Sequence, residues 1–411
     1  MRDPEGTSRT RDSTATPGLL RGNVLWLSLV SFLNDTASEM IYPLLPIFLT
    51  STLGAGAAVL GAIEGAAESA SSLLKLASGW ISDRFGRQKP LVAAGYAIAA
   101  VARPLVALAA APWHVLAIRL ADRAGKGLRA APRDALLAAS VPAHVRGRAF
   151  GIHRAADHVG AVVGPVIASL LLLALSGALR PVFALAALPG ILAVLVIVFR
   201  VRESRTVAAA AVTGAGAQAM PVSFHGLGPV LPGYLAAVFV FTLGNATDAF
   251  LLLRAHDLGV SAAAVPLLWS ALHVSKAMWS VPGGLLADRI GAQRAIGAGW
   301  LVYAATYAAF AVASAAWQAW ALFLVYGLFY GLTEAPEKAL VAALSPRERV
   351  GQAFGAFHFA IGIGALPASL LFGLLWQRFG PDIAFAAGAG LALIACGLLV
   401  ARVPAHAGRM A

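Results

Sequence analysis

The sequence predicts an all-α membrane protein of twelve transmembrane helices in two pseudo-symmetric six-helix bundles, and three observations carry that expectation. Hydrophobic residues fill 59% of 411 positions and charged ones 12%, where soluble domains run near ~25% charged, and mean hydropathy is +0.77. About twelve apolar runs follow one another, each near the ~20 residues that cross a hydrocarbon core. The chain also repeats itself: Gly79, Asp83, Arg84 and Gly86 return as Gly284, Asp288, Arg289 and Gly291, each 205 positions later. Pro132, Pro142, Gly147, Phe150 and Gly151 recur in the same way as Pro336, Pro346, Gly351, Phe354 and Gly355, 204 positions on. A period of half the chain means two copies of one unit.

Six runs belong to each copy, near 24–50, 57–81, 91–111, 114–140, 149–175 and 181–200, then 231–254, 262–286, 296–315, 318–343, 352–376 and 381–401. They are rich in Ala, Gly and Leu without the alternation of a membrane barrel, so bundled helices are expected. Residues 1–22 mix Arg, Asp, Ser and Thr ahead of the first run and read as a disordered cytoplasmic tail with no cleavable apolar core. The two bundles are then 23–202 and 231–402, with a linker over 203–230 rich in Ala, Gly and Pro and a short tail over 403–411. Cys396 is the one cysteine, which excludes an internal disulfide and a cysteine metal cluster.

The net charge of +12 is spread over alternate loops and apolar runs, not gathered on one soluble face, so nucleic acid is not the expected partner. Arg9, Arg11 and Arg21, then Arg87 and Lys89, Arg146 and Arg148, Arg200 and Arg202, and Arg347 and Arg349 flank the same side of successive runs. The positive-inside rule places that side, with both termini, in the cytoplasm of a bacterial-type inner membrane. Trp26, Trp113, Trp300, Trp317 and Trp376 fall at the expected ends of spans, at headgroup level.

With those residues in view, the chain resembles the major facilitator superfamily over about residues 22–402. Its most specific element runs from Gly79 through Asp83, Arg84 and Gly86 to Arg87 and Lys89, matching the signature after the second helix. The resemblance implies that this segment is a latch holding the outward-open state. By the repeat, Arg133 and Asp134 correspond to Glu337 and Lys338 in opposite order of charge, so these pairs, with Asp83 and Asp288, are expected to form a cytoplasmic conformational gate near the ends of the fourth and tenth helices. In the fifth run, Gly160, Gly164 and Pro165 resemble the Gly-x-x-x-Gly-Pro element of the drug and metabolite antiporters, although Ala168 and Ser169 stand where two glycines are usual. In the fourth, Arg123 precedes Gly127 by four residues, a pattern linked to proton coupling in that branch.

An ionisable residue at bilayer depth costs at least ~2.5 kcal/mol, so each one is a functional candidate by default. Asp35 and Glu39 share a face with Tyr42; Glu64, Glu68 and Lys75 share another; Arg119, Asp122, Lys126, Arg129 and Arg133 recur every three to four residues, and Asp157 and His158 lie in the fifth run. The second half offers Asn245, Asp248, Lys276, Tyr330, Glu334 and His358. Because helices 1, 4, 7 and 10 line the cavity in the family, Asn34, Asp35, Glu39, Arg123, Lys126, Asn245, Asp248, Tyr330 and Glu334 are first choices for the cargo and proton pathway. For each, a salt bridge between helices that never touches cargo is the competing reading.

Taken together, the expectation is a secondary transporter, not an enzyme, working as a monomer by alternating access. The cargo is a small organic anion, zwitterion or drug-like metabolite, suggested by the basic stripe of the fourth run, and efflux coupled to protons through Asp35 or Glu39 is favoured. No cofactor or resident metal is expected, and no Gly-rich phosphate cradle for ATP occurs. Alternatives are uptake of an organic anion, export of a metal ion or chelate through Asp35, Glu39, His153 and His158, and a transport-dead sensor or membrane enzyme.

Overall fold

The computed structural model describes residues 22–85, 88–142, 146–203, 228–346 and 349–404. Most of the expected linker, both tails, and Gly86 and Arg87 therefore lie outside the described residues, as do the side chains of Lys75, Gly79, Asp83 and Arg84. Among the described residues the chain is helical, with no strand. Lipid offers no partner for a free backbone N–H or C=O, which leaves a helix as the way for these single apolar runs to cross.

The first half comprises α1 (Gly22–Glu39), α2 (Ala57–Phe85), α3 (Gln88–Leu108), α4 (Pro112–Ala139), α5 (Arg146–Ala174) and α6 (Leu179–Arg200). The second comprises α7 (Leu231–Asp257), α8 (Val265–Ile290), α9 (Ala292–Val312), α10 (Ala316–Ala343), α11 (Val350–Phe379) and α12 (Pro381–Arg402). Length and hydropathy alone mark α3, α5, α6, α7, α9, α11 and α12 as membrane spans. The other five carry most of the candidate charges, α4 foremost, and their ion pairs explain how they can sit at the same depth.

Two helices are broken at equivalent places. Beyond Glu39, α1 continues through short turns over Tyr42–Leu44, Leu45–Ile47 and Phe48–Thr52. The other, α7, stops at Gly244, passes through Asn245 (φ −96, ψ 75) and restarts at Ala249. The breaks share the offset of the sequence repeat, so the internal symmetry reaches the backbone. Each break puts a carboxylate, Glu39 or Asp248, beside an interrupted helix in the middle of the molecule. Gly291, the last residue of the second repeat cassette, ends α8 at φ 93, a conformation that disfavours any side chain.

At one end of the molecule, Asn23 bonds Ser140 and the backbone of Arg202, and Gln293 bonds the carbonyl of Val403, so the described ends of both halves share a face. Between the halves, α2 packs on α11 and α5 on α8. A Cβ on Gly61 would lie 2.1 Å from the carbonyl oxygen of Ser369, so α2 and α11 touch through backbone. Among the described residues, the hydrogen bonds between halves include Ala58 N–H to Gln377, Ser169 to Ala263 O and Tyr42 with Thr247, then inward Trp269 to Glu39, Ser270 to Val162 O, Ser69 to Gly362 O and Leu366 N–H to Ser69. They run from the remote ends of the helices to about their middle. Toward the terminus-bearing face, Arg154 and His158 on α5, Lys126 on α4, and Glu334 and Lys338 on α10 are exposed. By these bonds the halves are tied toward the remote side, and among the described residues no hydrogen bond joins them near the terminus-bearing ends of the helices, an arrangement we call closed on the remote side.

One expectation fails outright. Trp300 is not at a span end: it is fully buried within α9, stacked on Phe241 at 4.6 Å, and its indole N–H donates 3.2 Å to Glu337 Oε1. An indole carries one donor as well as a large apolar face, and here a buried acceptor uses both. Trp113 and Trp317, exposed at the starts of α4 and α10, are placed as expected.

Candidate functional site

The basic stripe of α4 is largely consumed inside its own half. Arg119 forms a two-pronged bond with Glu64 at 2.8 and 2.6 Å and approaches Asp122 at 3.9 Å. Asp122 also receives Arg103 Nε at 2.9 Å, whose guanidinium bonds both the backbone and side-chain oxygens of Asn34. Arg129 donates to Gly95 O at 3.2 Å and lies 4.4 Å over the Tyr96 ring. Arg133 turns to its neighbour Asp134 at 2.9 Å. Two separated arginines thus balance Glu64 and Asp122, and α1, α2, α3 and α4 are tied by charge where lipid-facing helices would have only small-residue contacts.

Toward the cleft, Asn34 donates to Asp35 Oδ1 at 2.8 Å. Asp157 on α5 accepts the hydroxyl of Ser31, with His153 and Arg154 at 3.9 and 3.7 Å. Gly160 and Gly164 let α5 ride directly on α1, since a Cβ at either would sit 2.5 Å from the carbonyl of Phe32 or Thr36. Pro165 follows within the same helix. The Gly-x-x-x-Gly spacing is therefore a contact that brings Asp157 under Asp35, within one bundle.

In the second half, the break in α7 presents Asp248, whose two carboxylate oxygens each accept a tyrosine hydroxyl, Tyr326 and Tyr330, at 2.8 Å. The Lys276 ammonium lies 3.4 Å over the Tyr330 ring and 5.5 Å from that of Trp269. Trp269 reaches across the cleft and donates its indole N–H to Glu39 at 2.7 Å, with the Tyr42 ring 5.1 Å away. Glu39 and Asp248 thus each stand beside a helix break, Glu39 held by an indole and Asp248 by two phenols.

A profile of the major facilitator superfamily matches residues 27–268 and 233–409, which together span nearly the whole chain. The chain belongs to the major facilitator superfamily. The uncharacterized MFS-type transporter MJ1317 of Methanocaldococcus jannaschii is 33% identical over 387 residues, 93% of this chain and 94% of that protein. The multidrug resistance protein MdtH of Photorhabdus laumondii is 34% identical over 133 residues, about a third of each chain. Among solved structures, the nucleoside transporter NupG superposes with a TM-score of 0.77 at 15% identity, covering 93% of this chain and 99% of that one. This major facilitator protein is accordingly a multi-pass membrane transporter and not an enzyme.

Against that fold, the remaining candidates fall into place unevenly. Lys126 is exposed beside Asp35, and Arg123 keeps a buried Nε without a partner. Asn245 forms the break in α7. Glu68 and His158 are exposed, and His358 lies half-buried next to Phe357. Glu334 pairs with Lys338 at 3.4 Å along α10, and Asp288 and Arg289 are exposed near the end of α8. Gly284 has open space around it, unlike Gly160 and Gly164. Of the gate residues, Arg133 with Asp134, and Lys338 with Glu334, pair within their own helix in this open arrangement. No three His, Cys, Asp or Glu side chains converge to hold a metal among the described residues, so the metal-export alternative finds no site there.

Sequence reasoning passed over Arg103 and Trp269, and took His153 only as a metal ligand. Arg103 had a signal, a lone arginine within an otherwise apolar run. Trp269 had none, because its partner lies 230 residues away on the other half.

Proposed function

We propose that this transporter moves a small organic solute carrying a negative or zwitterionic group through the central cleft by alternating access, in exchange for protons, and that it works as an exporter in a bacterial-type inner membrane with both termini in the cytoplasm. The observation that carries the reading is the bond from Trp269 to Glu39, which joins the two halves at the inner edge of the closed side. A hydrogen bond to a charged group contributes about 1.5–3 kcal/mol and one to a neutral group about 0.5–1.5. A proton on Glu39 would therefore loosen the closure by about 1 kcal/mol, so proton binding and the change of access are linked. Asp35, one turn along the same face, is the second carboxylate of the pathway.

Export is supported by the similarity to MdtH over about a third of the chain and by the Gly160, Gly164, Pro165 element. The test is proton movement in proteoliposomes holding the full chain and a trapped pH dye, after addition of organic anions, zwitterions and amines in turn. Solute-dependent proton flux that Glu39→Gln abolishes supports the reading. Proton-independent uptake of any of these solutes, or no response to the whole panel, overturns it.

A further inference from the structure

We propose that the cleft is built for a zwitterion, with the cargo's carboxylate or other anionic group on Lys276 and His273 of α8 and its ammonium on Asp35 of α1. The inference rests on the transport reading only in placing cargo in this cleft.

Two opposite charges on the two walls lack a counter-ion among the described residues. Among the described residues, no carboxylate lies within 4.0 Å of the Lys276 ammonium, which meets only the faces of Tyr330 and Trp269. The acids in electrostatic reach of it are Asp248, Glu334 and Glu39. Each is already engaged: Asp248 by two tyrosine hydroxyls, Glu334 by Lys338, Glu39 by Trp269. His273, three residues before Lys276 on the same face of α8, has a buried Nε2 with no partner. An ammonium over rings and an unused imidazole nitrogen are donors that an anionic group can bridge.

Across the cleft, Asp35 accepts one bond from the Asn34 amide and, among the described residues, has no cation within 4.0 Å. Lys126 and Arg103 of its own half reach it only electrostatically, and Asp157 repels it. The Glu39–Trp269 bond sets the register of the two walls. From Glu39, Asp35 is one turn toward the open end; from Trp269, His273 is one turn the same way along the antiparallel α8. The two uncompensated groups therefore lie on the same side of that bond, one on each wall. A simple anion would satisfy Lys276 and leave Asp35 bare, and an amine would do the reverse. A molecule with both charges completes both walls at once, whereas the α4 arginines are spent on Glu64 and Asp122.

The test uses purified full-length protein without any pH gradient, and three probes of matched size: L-phenylalanine, 3-phenylpropanoate and 2-phenylethylamine, each with a ring to pack on Trp269 and Tyr330. Thermal unfolding against probe concentration gives relative affinities. The wild type should prefer phenylalanine over either singly charged probe by about tenfold, or 1.4 kcal/mol. In Lys276→Gln the advantage of phenylalanine over phenylethylamine should vanish, and in Asp35→Asn its advantage over phenylpropanoate should vanish. Preference within one variant is independent of its absolute stability. If the glutamine variant does not fold, Lys276→Arg should keep the carboxylate preference. Equal binding of all three probes to the wild type, no binding of any, or a preference that survives both neutral variants while Arg123→Gln removes it overturns the assignment. Proton flux in the liposome test is unaffected by that outcome, so the two failures are distinct.

Discussion

Removing one member of the Glu64–Arg119 pair should harm the protein more than removing both. The pair is buried and doubly bonded, so Arg119→Gln strands a carboxylate and should cost about 3–5 kcal/mol. The double replacement Glu64→Gln with Arg119→Gln should recover at least half of that, read as unfolding temperature in detergent. Glu39 makes a different prediction. As pH falls and Glu39 takes a proton, the cross-cleft bond to Trp269 loses its charge assistance, so opening of the remote side should rise about fivefold. Glu39→Gln, which can still accept the indole N–H, should hold that equilibrium fixed across pH, as measured by distances between spin labels on Leu53 and Ser261 replaced by cysteine. At this scale the sequence named nearly every buried charge but few of its partners. Arg119, Asp122 and Glu64 are legible as intramembrane ions because each breaks an apolar run. That Arg103 completes the cluster, and that Trp269 serves Glu39, depends on helices meeting far apart in sequence, for which local pattern holds no record.

Among the elements, the contact between α2 and α11 is made by backbone. Gly61→Ala would place a methyl carbon where the Ser369 carbonyl now sits, so the two helices must separate. Overpacking of this kind costs about 1–3 kcal/mol, and here it falls on the closed arrangement alone. The variant should populate a form open on the remote side, seen as faster alkylation of a cysteine placed at Ser369 by a membrane-impermeant maleimide, and normal alkylation would refute the wedge. Twelve apolar runs were readable in the sequence, although only seven of the described helices stand out as spans by length and hydropathy alone, and the half-chain repeat gave their pairing. The breaks in α1 and α7 were less visible. Pro43 hints at the first, and Gly244 followed by Asn245 at the second, yet each hint also suits an ordinary helix end. Trp300 was misplaced because an indole serves equally at headgroup depth and beside a buried carboxylate.

For the whole molecule, Arg133 pairs with Asp134 and Lys338 with Glu334 within their own helices, while Arg133 and Asp134 correspond by the repeat to Glu337 and Lys338. Closing the terminus-bearing side brings α4 and α10 together, and the opposite order of charge lets Arg133 meet Glu337 and Asp134 meet Lys338. Arg133→Glu should therefore disfavour closure there and hold the transporter in the arrangement described above. Transport at the wild-type rate in that variant would remove Arg133 from the gate. The cross-cleft bond has one more consequence. Because the indole of Trp269 is dry and bonded while the remote side is shut, and meets water once it parts, its emission is a built-in gauge of the cycle. A chain keeping Trp269 and replacing the other eight tryptophans by phenylalanine would report each opening as a red shift, with no dye attached.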